Sequence, residues 1–369
     1  MGPALLLPRL RFGSGSIVTL GEELAALGSK RPLLVSDHGL TAAGITTVAR
    51  AAASLIVGEF LDVPENPTAG GADAAAAAYR VSNCDSIVAL GGGSVLDTAK
   101  LLSALVAHPG VVAEELIGHS ERVTAVVPLI AIPTTLGTGS ESSPVAALHR
   151  DSGGPGIGTR SALLVPRIAI CDPDLARTLP RRLIAATGID ALSHCVEGFF
   201  AEPANPIIDA LALDGAARVF ASIHAALEPG GDAARGSLMA AAFAGGAAIH
   251  KGLGPAHAVA LVCGDQHVHH GTLIGIALSA TTRLLARHLP GKARRLAMAV
   301  GIGEDGDLAD AIAGLVRSLD LPAVLASTKY VAGDSDALVA ALLASPFNRT
   351  SPYAPSGDDY RAILAEITG

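Results

Sequence analysis

Apolar and polar positions change rhythm about midway along the chain, and the change predicts two kinds of architecture. In the first half, short apolar runs recur between longer stretches of helical period. Residues 9–12 (Arg-Leu-Arg-Phe) alternate as a half-exposed strand does, and Gly13-Ser14-Gly15 ends them. Residues 32–36 (Pro-Leu-Leu-Val-Ser) form the kind of compact apolar run buried in a parallel sheet. Further strands are predicted over 56–63, 86–90, 129–133 and 167–171, and helices over 17–27, 41–55, 69–81 and 95–106. Residues 150–161 read as a loop or a hairpin crossing. Strand, short loop and helix in alternation give an α/β domain on a parallel sheet.

Strand-like runs nearly vanish after residue 179. Helical spacing covers 181–186, 190–201, 207–227, 232–249, 273–288, 291–300 and 308–319, with Pro, Gly or polar breaks between most of them. The chain therefore reads as an α/β domain over residues 1–176 and an all-helical domain over 177–369.

Composition narrows this picture. Half of the residues are hydrophobic, yet aromatics are 3% and Trp is absent, so the cores are aliphatic. No run of about 18 apolar residues escapes a breaker, which argues against a membrane span. A net charge of −8 without a basic stripe argues against nucleic acid as a partner. Cys84, Cys171, Cys195 and Cys263 are far apart and form no CxxC pair. With a start that lacks a basic region followed by a long apolar one, reduced thiols point to a cytoplasmic protein.

Candidate chemistry falls at strand ends, where parallel α/β sheets bind ligands. Gly91-Gly92-Gly93-Ser94 follows a strand directly. Without Cβ atoms the backbone can approach a pyrophosphate, with N–H groups and a helix N-terminus facing the anion. The same string also serves as a tight turn, and Ser94 is placed to cap the helix. Thr134, Thr135, Thr138 and Ser140 offer hydroxyl donors after the next predicted strand, 129–133. Asp37, at a strand tip, suits the two hydroxyls of an adenosine ribose and repels a 2′-phosphate; it equally suits a helix cap.

A second constellation lies in the helical half. Asp190 and His194 are four residues apart, hence one turn apart on one helical face. His250, His257, His267, His269 and His270 crowd one otherwise apolar region. Each histidine alone is equally explained as a core residue. Asp190, His194, His257 and His270 together would make a one-carboxylate, three-imidazole set suited to Fe(II) or Zn(II).

Taken in order, these strings resemble the iron-containing (group III) alcohol dehydrogenase family. They are Phe12-Gly13-Ser14-Gly15, Val35-Ser36-Asp37, Asn66-Pro67-Thr68, Gly91-Gly92-Gly93-Ser94-Val95-Leu96-Asp97-Thr98-Ala99-Lys100 and Pro133-Thr134-Thr135-Leu136-Gly137-Thr138-Gly139-Ser140-Glu141. Asp172-Pro173, Gly188-Ile189-Asp190-Ala191-Leu192-Ser193-His194 and His270-Gly271 follow. The resemblance implies a Rossmann-like N-terminal domain and an all-α C-terminal domain, with a cleft between them for NAD(H) and metal. It assigns Asp190, His194, His257 and His270 to Fe(II) or Zn(II). It assigns Asp37, Asn66, Gly91, Gly92, Gly93, Ser94, Asp97, Thr134, Thr135 and Thr138 to the cofactor. The implied activity is hydride transfer between NAD(H) and a small primary or secondary alcohol or its aldehyde or ketone, in a homodimer or larger homo-oligomer.

Three departures bear on mechanism. Leu261 stands where many members carry a proton-relaying His four residues after the third ligand. The interval from His257 to His270 is one residue shorter than the family pattern, and Gly156 or a neighbour replaces a Lys often found before the Asp-Pro strand. The relay is then assigned to His267 or His269, or to the cofactor ribose. Among alternatives, Asn348-Arg349 is similar to the maleylacetate reductase branch, but that branch tends to carry Asn at the position of Asp190. A hydroxy-acid or semialdehyde reductase fits the same layout. A dehydroquinate synthase-like lyase needs basic residues near the His cluster, where Lys251 is the chief one. A non-catalytic relative would bind NADH without turnover.

Overall fold

A computed structural model describes residues 4–266, 268–331 and 333–369. The chain divides into two compact units: Leu6–Thr135 with Gly139–Leu179, and Pro180–Gly369 with Leu136–Thr138.

The α/β unit is built on strands β1 (Arg9–Phe12), β2 (Pro32–Val35), β3 (Gly58–Phe60), β4 (Ser86–Gly91), β5 (Leu129–Pro133) and β8 (Ile168–Cys171). All their pairings are parallel, in the order β1-β8-β5-β4-β2-β3. The inner strands are buried along their whole length, so they read as apolar runs rather than alternating ones. Period-two alternation still sorts their side chains. Leu33, Val35, Ile87, Ala89 and Ala131 face α4 (Ala69–Val81) and α5 (Gly93–Ala107), while Leu34, Val88, Leu90, Ile130 and Ile132 pack with Leu20, Leu24, Ile45 and Ala49. β6 (Val145–Leu148) and β7 (Ile157–Arg160) form an antiparallel hairpin, so of the stretch 150–161, read as a loop or a hairpin crossing, the later part is a strand whose partner precedes the stretch. Register places the chemistry: Val35 pairs with Ala89, and Gly91 with Pro133. Asp37, the glycine run and Thr134 therefore emerge at one end of the sheet.

Several boundaries differ from expectation, each for a local reason. The helix predicted over 41–55 is two, α2 (His38–Ala42) and α3 (Ile45–Ala52), parted at Gly44 with φ of 78°. The strand over 56–63 shrinks to three residues because β3 lies at the sheet edge. The stretch 17–27 opens with a 3₁₀ turn, Ser16–Thr19, before α1 (Leu20–Ala26). Ser94 does not cap α5: Gly92 is the N-cap, and the helix already includes Gly93.

The second unit is helical: α6 (Arg181–Phe200), α7 (Pro206–Leu227), α8 (Asp232–Ala248), α9 (Pro255–Val262), α10 (His270–His288), α11 (Pro290–Ala299), α12 (Leu308–Ser318), α13 (Ser335–Ala344) and α14 (Gly357–Thr368). Where the sequence suggests a break at Gly188, α6 runs straight through. A Cβ there would stand 2.7 Å from Ile223 Cδ1, so this glycine lets α7 approach closely rather than ending the helix. By length and composition α6 and α7 match a membrane-crossing helix, contrary to the sequence expectation. Yet 94% of the apolar window of α6 is buried inside the unit, as for a core helix packed on α7, α8 and α10.

Candidate active site

Asp190 and His194 leave one face of α6, and α9 and α10 bring His257 and His270 to it. The Asp190 Oδ1 atom lies 3.6 Å from His194 Nε2, 4.0 Å from His257 Nε2 and 3.7 Å from His270 Nε2. These separations are too long for hydrogen bonds. The rings crowd together as well, with centroids 5.0 Å apart for His194 and His257 and 5.5 Å for His257 and His270. Asp190, His194 and His257 are buried, while the outer half of the His270 side chain remains open at 52% exposure.

Three buried atoms of these residues lack a hydrogen-bond partner among the described residues: Asp190 Oδ1, His194 Nδ1 and His257 Nε2. Leaving such groups unpaired is costly, so native proteins give them a partner. One carboxylate oxygen and three imidazole nitrogens converging on one point supply the donor set of a first-row divalent cation. The residues fit a metal.

Electrostatics point the same way. Burial, then the neighbouring His257, lowers His194 to about 3. His270 is lowered too, first by desolvation, though its open flank weakens the effect. Near neutral pH these imidazoles are uncharged and keep a lone pair for a ligand. Burial raises Asp190, against the pull of His270 and His257.

The sequence reading missed Glu197. It is buried one turn beyond His194, and its carboxylate meets His257 Nδ1 at 2.6 Å. It also accepts hydrogen bonds from the backbone N–H groups of Gly254 (3.0 Å) and Ala256 (2.6 Å). A signal existed, since positions 190, 194 and 197 lie on one helical face. Leu261 follows His257 by one turn of α9 and brings no polar group, while the Phe347 ring lies 5.7 Å from the His257 ring. His269 immediately precedes α10 and acts electrostatically on Asp190 and His270. His267 lies outside the described residues.

In the α/β unit, β4 delivers Gly91 and Gly92 to the start of α5. A Cβ on Gly91 would stand 2.5 Å from Val95, and one on Gly92 would stand 2.9 Å from Thr135 Cγ2, so neither position has room for a side chain. The backbone there is bare, and the first-turn N–H groups of α5 have no helical carbonyl to bind. Thr134 N–H donates to Gly91 O (3.0 Å) and joins the two loops. The buried Thr135 Oγ1 has no hydrogen-bond partner among the described residues, and neither does Thr138 Oγ1, which belongs with the helical unit. Asn66 is exposed between β3 and α4.

Two expected cofactor residues already have partners within the protein. Asp37 caps α2, its Oδ1 accepting from Leu40 N–H at 2.8 Å, so the capping alternative holds for one oxygen. In Asp97, Oδ1 accepts from Ser140 Oγ (2.5 Å) and Oδ2 from Ala147 N–H (2.9 Å). It ties α5 to the threonine-rich loop and β6, and each oxygen keeps a further acceptor site. The buried Lys100 beside it donates to Ser143 O, Ser143 Oγ and Val145 O, and burial lowers it to about 8.

Comparison with known proteins agrees with this geometry. Residues 8–173 match iron-containing alcohol dehydrogenase, and residues 184–368 match the C-terminal part of the Fe-containing alcohol dehydrogenase family. A 4-hydroxybutyrate dehydrogenase of Cupriavidus necator is 37% identical, over 98% of each chain. Alcohol dehydrogenase 4 of Schizosaccharomyces pombe is 30% identical over 96% of this chain and 86% of its own. Among solved structures, 1,3-propanediol oxidoreductase superposes with a TM-score of 0.93 at 27% identity, covering 100% of both chains. Sulfoacetaldehyde reductase from Bifidobacterium kashiwanohense, in complex with NAD+, gives 0.90 at 26% identity, covering 100% of this chain and 99% of its own.

Proposed function

The chain belongs to the iron-containing alcohol dehydrogenase family, and from that premise we propose that it interconverts a small primary alcohol and its aldehyde with NAD(H) at an Fe(II) site. The observation that carries the reading is Asp190 Oδ1, buried without a hydrogen-bond partner among the described residues and 3.6–4.0 Å from three imidazole nitrogens. Asp190, His194, His257 and His270 hold the metal. When bound, the metal supplies Lewis-acid polarisation of a substrate oxygen and the nicotinamide supplies the redox chemistry.

The protein's part is binding, orientation and charge. Asp190 contributes the one carboxylate ligand, and three imidazoles complete the set. The bare backbone at Gly91, Gly92 and Gly93, with Ser94 in the first turn of α5, cradles the pyrophosphate. Thr134, Thr135 and Thr138 add donors to the cofactor, and Asn66 borders its site. Asp37, oriented through Oδ1 by Leu40, presents its other oxygen to the adenosine ribose and repels a 2′-phosphate. Asp97 shapes the cofactor loop from behind. Leu261 cannot carry a proton, so His269, His267 or the cofactor ribose moves it.

Within this class we favour ω-hydroxy acids and their semialdehydes, on the strength of the full-length similarity to the Cupriavidus necator enzyme. NADH oxidation with succinic semialdehyde, matched against butanal and propanal, tests this. A higher kcat/KM for the semialdehyde supports the reading, and a preference for the uncharged aldehydes refutes it.

A further inference from the structure

We propose that Glu197 is the positioning residue that decides which nitrogen His257 presents to the metal. The inference rests on the reading that Asp190, His194, His257 and His270 form a metal site, and deepens it. Glu197 is 2% exposed, and both its oxygens already accept from backbone N–H groups, Oε2 from Gly254 and Oε1 from Ala256. With Oε2 at 2.6 Å, His257 Nδ1 must carry the ring proton and donate it to the carboxylate. The lone pair is thereby left on Nε2, the atom that lies 4.0 Å from Asp190 Oδ1 without a hydrogen-bond partner among the described residues. A carboxylate behind a ligating imidazole also makes it a stronger donor.

The same carboxylate fixes where the ring stands. Gly254 has no side chain to cap α9, and Pro255 at the first helical position has no N–H. Glu197 reaches across from α6 and accepts from Gly254 N–H and Ala256 N–H, the donors on either side of that proline. A Cβ on Gly254 would stand 2.9 Å from Glu197 Oε1, so glycine at this position admits the carboxylate. One buried carboxyl group thus sets the tautomer of His257, its basicity and the first turn that carries it. A helix cap alone would require none of the contact with His257.

The test measures affinity for Zn2+ by competition with a chromogenic chelator, using the full-length protein. Glu197→Gln, close to isosteric, should bind Zn2+ about 10–100-fold more weakly. In a His257→Ala background the same substitution should change affinity by no more than about two-fold, because its effect passes through His257. Unchanged affinity in Glu197→Gln, or an equal loss in both backgrounds, overturns the inference. Asp190→Ala separates this from failure of the premise. If Asp190→Ala lowers affinity and Glu197→Gln does not, the inference alone fails; if neither does, the metal reading falls and takes the inference with it. A second measurement needs no variant that must fold. In the zinc-loaded wild type, 15N NMR should show a protonated His257 Nδ1 with its proton shifted strongly downfield, and an unprotonated Nδ1 overturns the assignment.

Discussion

Asp37 caps α2, and the cofactor role proposed for the same carboxylate can be tested separately. Its Oδ1 caps α2 through Leu40 N–H, while the cofactor role needs charge at the strand tip. Glycine is also a tolerated N-cap, so Asp37→Gly costs only about a few tenths of a kcal/mol in stability. The wild type should therefore prefer NADH to NADPH, and Asp37→Gly should lose that preference with little change in Tm. Steady-state kinetics with both cofactors decides it, and a wild type that favours NADPH would end this role for Asp37. Side-chain placement was legible in the sequence where spacing alone sets it, as with Asp190 and His194 a turn apart. They were not legible where partners come from distant positions. Nothing in the local pattern shows that Asp97 accepts from Ser140 and Ala147, or that Glu197 reaches residues 254–257.

Glycines decide how close the elements come. Within the helical unit, a Cβ on Gly215 would stand 2.5 Å from Cys195 Sγ, in the middle of the α6–α7 contact. Gly215→Ala gains helix propensity but overpacks that seam, so thermal unfolding should show a loss of about 1–3 kcal/mol. An unchanged or raised Tm would contradict the packing described for α6. At the cofactor loop the consequence is kinetic. Gly92→Ala pushes on Thr135 and should raise KM for NADH several-fold with a smaller effect on kcat; an unaltered KM would remove the glycine run from the cofactor site. Elements buried on both faces were the easiest to read: β2, β4, β5 and β8 announce themselves as apolar runs. A glycine that breaks a helix and one that admits a neighbour look alike in sequence, which is why Gly44 hid a break and Gly188 suggested a false one. α13 and α14, set among Pro- and Ser-containing turns after residue 320, were not foreseen.

Across the whole molecule, two units divide the chemistry. The α/β unit offers glycine backbone, hydroxyls and one acid at the carboxyl ends of its strands, and the helical unit offers a carboxylate among imidazoles. The cysteines, Cys84, Cys171, Cys195 and Cys263, form no disulfide, so neither unit relies on one for stability. This division was legible early because the change from period two and buried runs to helical spacing is a property of long stretches. The matches to the family cover both units and agree with it. The central claim is that Asp190 and three histidines hold a metal on which turnover depends. The most direct test is elemental analysis of protein purified without chelator, for the wild type and Asp190→Ala, with NADH-linked activity assayed on the same samples. The account predicts about one iron per wild-type chain. In Asp190→Ala the metal should be lost and activity should fall at least about 100-fold, since removing a supporting partner alone can cost that much. A wild type without bound metal, together with undiminished activity in Asp190→Ala, would contradict it.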